Sequence, residues 1–376
     1  MKFNCTRSEL ANVLAPVLSV VPAKSTLPIL SHVYLKSDHL KNTLQLSATD
    51  LDLSLSAEIE TPVSKDGAIT VPARTLAELV REIPEGTIDF EVIGGRLELR
   101  FKHGHHIIAG TSADEFPSLP EVNLKKAIRL PASDLVRMIR KTIFAVSKDE
   151  TRPALNGVLW ETQGESMVMV ATDGHRMAKI ERPNTRLAGV GGDLIIPPKI
   201  LDLVVKFSKE TEEIGVVLSE KHVIFDLGRM VLTSRLIEGP YPNYRQVIPK
   251  ETTKRFSVDR DTLFGTVRRV SILSNALTHQ VRFSFKEGEL ELRTANADLG
   301  AEAKESLEGD YTGDPMDAGY NATYLLDILK QIDSPRVQLD LNSSSSAALV
   351  RPIAESGSES ESEDYLCLIM PLRLSE

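Results

Sequence analysis

One strand-and-turn pattern occurs three times in this chain at constant spacing. Leu44-Gln-Leu-Ser-Ala-Thr-Asp50 returns 123 residues later as Met167-Val-Met-Val-Ala-Thr-Asp173. After another 123 residues it returns as Leu290-Glu-Leu-Arg-Thr-Ala-Asn296. Each reads as a strand with apolar residues at alternate positions and a small polar turn at its end. Solenoid repeats run roughly 20–50 residues, so this period is too long for one. It suits three copies of a domain of about 125 residues, each large enough for its own core. The copies are 1–124, 125–250 and 251–376.

Every copy opens with a helix signal and carries a second one halfway along. Ser8-Glu9-Leu10, Ser133-Asp134-Leu135 and Asp261-Thr262-Leu263 place a capping residue or an acid before an apolar run. Pro28-Ile-Leu30 and Pro153-Ala-Leu155 read as extended segments, and Leu51, Leu53 and Leu55 as a strand of period two. The second helix is predicted at Arg74-Thr-Leu-Ala-Glu-Leu-Val-Arg-Glu-Ile83, where apolar residues fall at i, i+3, i+4 and i+7. Its counterparts are 197–206, with proline in the first turn, and 321–330. Strands are expected at 88–101, 213–233 and 336–374. Helix, strands, helix, strands, three times over, is an α+β architecture without βαβ alternation. The joints are 117–123 and 248–253, and residues 355–364 form an acidic serine stretch expected to be a mobile loop.

Charge narrows the function. The formal net charge of −9 disfavours a simple nucleic-acid binder unless positive charge is segregated on one surface. A helical projection does segregate it. Leu135, Ile139, Ile143 and Val146 fall on one side of the helix opening the second copy. Arg137, Lys141 and, on a helix that long, Lys148 fall on the other, with Arg140 beside them. In the third copy Arg269 points away from the apolar stripe with Arg268 on its flank, and Lys199, Lys206 and Arg81 sit on second helices. A solvated polar face is the plain reading of any one helix; recurrence on equivalent helices suggests a shared basic surface.

No run approaches the ~18 consecutive apolar residues of a membrane span, and the opening residues lack a signal peptide's apolar core. Cys5 and Cys367 lie at opposite ends of the sequence, and two isolated cysteines make neither a disulfide scaffold nor a metal site. The cytoplasm is the expected compartment. An enzyme is the rival class, since His175 near Asp173 invites a catalytic reading and His103, His105 and His106 a metal site. No further ligand set completes such a site, and no glycine-rich phosphate loop follows a strand. No catalysis, metal or cofactor is therefore expected.

Three segments settle the resemblance: Val170-Ala-Thr-Asp-Gly-His-Arg-Met177, Arg235-Leu-Ile-Glu-Gly-Pro-Tyr-Pro-Asn-Tyr-Arg245 and Ile369-Met-Pro-Leu-Arg-Leu374. In order and spacing they resemble the hallmarks of the bacterial DNA polymerase sliding clamps, the β subunits of replicative holoenzymes, and the resemblance runs the full length. It implies a head-to-tail homodimer closing as a ring, helices inside and antiparallel sheets outside. Duplex DNA would be held without sequence preference, because phosphate contacts position a protein but carry no sequence information. The DNA contacts implied are Lys24, Arg137, Lys141, Lys148, Arg152 and Lys199. Asp149 and Glu150, where relatives carry polar and aromatic DNA contacts, should repel phosphate.

The resemblance further implies a pocket for short partner peptides of the replicative polymerase, the clamp loader and repair proteins. It would comprise Leu155, Thr172, Gly174, His175, Arg176, Met177, Pro242, Val247, Asn321, Tyr324, Met370, Pro371, Leu372 and Arg373. Taken singly, Asp173-Gly174 is a hairpin turn, 368–370 a last core strand and Tyr324 a helix-core residue; the three segments together outweigh those readings. At the subunit contact Arg74, Arg96, His103 and His105 would face Asp298, Glu302 and Glu305, with Ile272 and Leu273 as the apolar centre. Histidines in such pairs would make dimerisation weaker at pH 8 than at pH 6. The alternative function is a protein-binding scaffold that never encircles DNA.

Overall fold

A computed structural model describes residues 1–120, 122–161, 166–183, 192–296, 300–353 and 363–374. The acidic serine stretch therefore lies outside the described residues except for 363 and 364, as does Asp298.

Each third carries two helices at the expected places: α1 (Arg7–Leu18), α2 (Ala73–Glu82), α3 (Ala132–Ile143), α4 (Pro198–Phe207), α5 (Arg260–Ser271) and α6 (Ala322–Lys330). The first helices start earlier than Ser8, Ser133 and Asp261 suggested, and at α1 and α5 other residues supply the caps. Thr6 accepts from Glu9 N at 3.3 Å, and the Glu9 carboxylate accepts from Thr6 N at 3.0 Å, closing a capping box. Asp259 accepts from Thr262 N at 2.7 Å to start α5.

Three other expectations are corrected. Residues 28–30 and 153–155 are not extended but belong to 3-10 turns, Pro28–Ser31 and Pro153–Asn156, each begun by a proline whose fixed φ suits a first turn. Leu51 is not in a strand. The Asp50 carboxylate accepts from Asp52 N and Leu53 N, at 3.2 and 2.8 Å, and the strand Leu53–Glu60 starts only after that turn. Lys148 is not on α3, which ends at Ile143; Ser147 N instead donates to Leu155 O at 2.9 Å and draws the chain off the helix axis.

Packing groups the chain into two compact units, Met1–Val136 with Lys199–Leu236, and Arg137–Pro198 with Ile237–Glu376. The division runs through the middle third because antiparallel sheets cross the joints. In the first unit an eight-stranded sheet pairs Leu53–Glu60 of the first third with Met230–Arg235 of the middle third. In the second a nine-stranded sheet pairs Arg176–Arg182 of the middle third with Asp364–Ile369 of the last. A five-stranded sheet completes the first unit and a four-stranded sheet the second.

The tandem pattern occupies strands Thr43–Thr49, Met167–Thr172 and Glu289–Asn296. In the last, Leu290, Leu292 and Thr294 are buried in alternation. Met167 through Ala171 are all buried, so that strand is covered on both faces and needs no alternation.

Candidate functional site

The hairpin at residues 172–176 sits at the paired edge of the middle and last thirds. Asp173 Oδ1 accepts from His175 N and Arg176 N at 2.8 and 2.9 Å, and Gly174 N donates to Thr172 Oγ1 at 3.1 Å. Gly174 has φ +91°, and a Cβ there would lie 3.0 Å from Arg152 Nη1, so both conformation and space favour glycine. Met370 N donates to His175 O at 2.8 Å, laying the C-terminal tail against the hairpin. Leu372 N donates to Gly319 O at 2.8 Å, and Gln280 Nε2 donates to Arg373 O at 2.9 Å, which fixes the tail further on.

Around this frame the pocket residues divide by role. Leu155 and Met177 are buried, and Met177 packs in a cluster with Leu159, Val170, Tyr244, Leu349 and Leu368 that forms an apolar floor. Pro242, Val247 and Met370 are exposed above it, Met370 at 37%. The His175 ring stacks 6.3 Å from that of Tyr324.

Arg176 is only 9% exposed and works as an internal clamp. Its guanidinium reaches Asp327 Oδ2 at 2.8 Å, Phe144 O at 2.8 Å and Asp173 Oδ2 at 3.2 Å, and lies 4.6 Å from the Tyr324 ring centroid. Asn321 caps α6 by accepting from Tyr324 N at 3.2 Å and donates to Thr278 O at 3.1 Å. Arg176 and Asn321 therefore hold the frame. Sequence reasoning missed Asp327, Phe144 and Tyr244. Tyr244 was legible as an aromatic inside the second hallmark segment; nothing in the sequence marked the other two.

The basic residues scatter more than the helical projection implied. Arg137 donates to both Glu363 carboxylate oxygens, at 2.8 and 2.9 Å, and pairs with Asp333 at 2.7 Å. Lys141 is 5% exposed. It meets Asp333 Oδ2 at 2.8 Å, donates to Gln331 O and lies 4.8 Å above the Tyr365 ring. Burial lowers the Lys141 pKa, and Asp333 opposes the shift. These two are not on an open basic face, because residues 331–333 and 363–365 pack over what the projection left to solvent. Lys24 and Lys148 are exposed. Lys199 is exposed but 2.5 Å from Asp50, and Arg152 is 2.9 Å from Asp149 and donates to Asp173 O at 3.2 Å. Asp149 thus already has a cation beside it.

Comparison with known proteins decides the family. The chain matches the N-terminal, central and C-terminal domains of the "DNA polymerase III beta subunit" over residues 1–120, 129–243 and 245–372. It is 33% identical over 383 residues to the beta sliding clamp of Caulobacter vibrioides, covering 100% of both chains. With the beta sliding clamp of Chlamydia muridarum it shares 30% over 384 residues, again covering 100% of both. The crystal structure of the DNA polymerase III subunit beta from Pseudomonas aeruginosa superposes with a TM-score of 0.92 at 30% identity, with 100% of both chains covered.

The chain belongs to the beta sliding clamp family. In this clamp the expected subunit-contact residues are spread over several elements, Arg74 on α2 and Arg96 at the start of the strand Arg96–Phe101, the other described ones on edge strands and turns. Strand Gly104–Ala109, holding His105, is one edge of the five-stranded sheet, and Ala301–Glu308, holding Glu302 and Glu305, is one edge of the four-stranded sheet. Arg74, Arg96 and His103 are exposed, and His103 lies in a turn rather than on the strand with His105. Several charges already have partners within the clamp chain. Glu305 accepts from Arg269 Nη2 at 2.6 Å, Glu302 is 3.4 Å from Arg293, and His105 Nε2 is 3.1 Å from Glu98. Ile272, immediately after α5, is 72% exposed, while Leu273 is half-buried.

No helix among the clamp's described residues is long and apolar enough to cross a membrane.

Proposed function

We propose that this clamp acts as a head-to-tail homodimeric ring around duplex DNA, tethering the replicative polymerase and other DNA-processing proteins to it. It is itself non-catalytic and works in the cytoplasm at the nucleoid. The full-length match, with all three domains in family order, carries the reading. Residues 1–124, 125–250 and 251–376 would be the three arcs contributed by each subunit.

The partner-peptide groove would run over Leu155, Met177, Pro242, Val247 and Met370. Its support is an apolar floor, an exposed methionine above it and a tail pinned in place by backbone hydrogen bonds. Methionine adapts to varied side chains, which suits a site serving several partners. DNA would be held by Lys24, Lys148, Lys199 and Arg152 through phosphates. Loading onto nicked circular DNA tests this directly. A clamp retained on the circle and released when the circle is cut encircles DNA. A clamp that binds partner peptides yet is never retained on circles is instead a scaffold that does not encircle DNA.

A further inference from the structure

A cavity of 390 Å³ lies in the first unit where the first and middle thirds meet, within the usual size range of ligand sites. Thr49, Asp50, Leu51, Leu119, His222 and Arg235 are among its walls. Its backbone frame repeats that of the partner-peptide groove. Thr49, Asp50, Leu51 and Asp52 stand 123 positions before Thr172, Asp173, Gly174 and His175. Strand register agrees: Leu53 pairs with Ser234 as Arg176 pairs with Ile369. The residue that follows in each pairing strand makes the same bond, Arg235 N to Asp52 O at 2.8 Å and Met370 N to His175 O at 2.8 Å. Phe116-Pro-Ser-Leu119 crosses here as Tyr241-Pro-Asn-Tyr244 does there, 125 residues on.

The side chains on that frame differ. Leu51 adopts φ +83°, where its counterpart is a glycine at +91°. A leucine in that conformation is strained, and such strain concentrates at binding sites. It holds an apolar side chain, 48% exposed, at the cavity wall. Arg235 replaces Met370, and the acidic side chain beside it is the exposed Asp52 at 3.7 Å. Asp50 is held by Lys199 at 2.5 Å and by backbone N–H groups. Arg235 and His222 are thus the polar groups best placed to meet an incoming anion.

We infer that this cavity is a second peptide-binding site, taking an extended segment with a bulky apolar residue beside a carboxylate. The apolar side chain packs on Leu51 and Leu119, and the carboxylate meets Arg235. The inference rests on the partner-peptide reading of the groove at the other joint, whose frame it shares.

The test uses the full-length dimer and the peptide Gln-Leu-Asp-Leu-Phe with a fluorinated phenylalanine, followed by fluorine NMR. The parent should give two bound resonances. Met370→Asp should remove one, and Leu51→Gly should remove the other by weakening its site at least tenfold. Leu51→Gly relieves the backbone strain, so it should fold as well as the parent. A single bound resonance lost in Met370→Asp but kept in Leu51→Gly overturns the second site and leaves the groove intact. A single resonance with the opposite response upholds the second site and overturns the groove. No bound resonance in the parent overturns both.

Discussion

Lys141 shows how far a residue's setting can depart from its place on a helical wheel. Burial costs a lysine its hydration, and the site compensates with Asp333, a backbone carbonyl and the Tyr365 ring. Burial alone would raise the Asp333 pKa; the hydrogen bond and charge of Lys141, then Arg137, bring it below its ordinary value. A carboxyl lowered on folding contributes stability above its unfolded pKa and loses it as pH falls through the folded value. That contribution should therefore fade below pH ~4. Lys141→Ala should lower thermal stability, costing about 1–2 kcal/mol, and leave the salt dependence of DNA binding unchanged. Lys24→Ala with Lys148→Ala should do the reverse, weakening the salt slope without lowering the melting temperature. A salt slope that falls in Lys141→Ala would return that residue to the DNA surface.

The two cysteines make a simpler case at the same scale. Burial pushes both thiols up to about 12, with Glu9 adding to the shift at Cys5. The thiolate is the reactive form, so Ellman's reagent should label neither in the native clamp and both after unfolding. Rapid native labelling at pH 8 would contradict that burial.

At the scale of elements, the C-terminal tail is the most exposed to test. Its backbone is fixed by bonds to His175 O and Gly319 O, so a side chain at 370 can change with little effect on the path of the chain. Met370→Asp sets a carboxylate beside an apolar floor, where peptide binding must desolvate it. Affinity for a Gln-Leu-x-Leu-Phe peptide should fall at least tenfold, about 1.4 kcal/mol. The protein should remain folded, and unchanged affinity would reduce the tail to a core strand's end. Arg176 should behave differently. It clamps the hairpin to α6 through Asp327, so its substitution should disturb the groove by loosening its frame.

At the scale of the molecule, the proposed ring would close through surfaces that lie open in a single chain. Ile272 projects 72% exposed just beyond α5, an apolar side chain without cover of its own. Glu302 and Glu305 already have cations beside them within the chain, and exposed ion pairs contribute only about 0–1 kcal/mol. The apolar contact should therefore dominate, and Ile272→Ala with Leu273→Ala should yield monomers by native mass measurement at low micromolar concentration. Persistence of the dimer would move the contact elsewhere.

Repetition and periodicity were enough to determine the threefold plan, the α+β class and the places of the six α-helices among the described residues. Each depends on local spacing, which a linear sequence records directly. The apolar floor was partly legible in another way, through the hallmark segments, whose resemblance to the family implied Met177. Tertiary structure alone decided which partner each polar group meets. Nothing near Arg137 or Lys141 in sequence foretold Asp333, 192 residues beyond Lys141, or Glu363, 226 beyond Arg137. Nor could spacing show that the middle third divides between two units, because strand pairing across the joints is a long-range choice. A helical wheel knows which side of a helix is polar; only the packed chain determines whether water or a carboxylate lies beyond it.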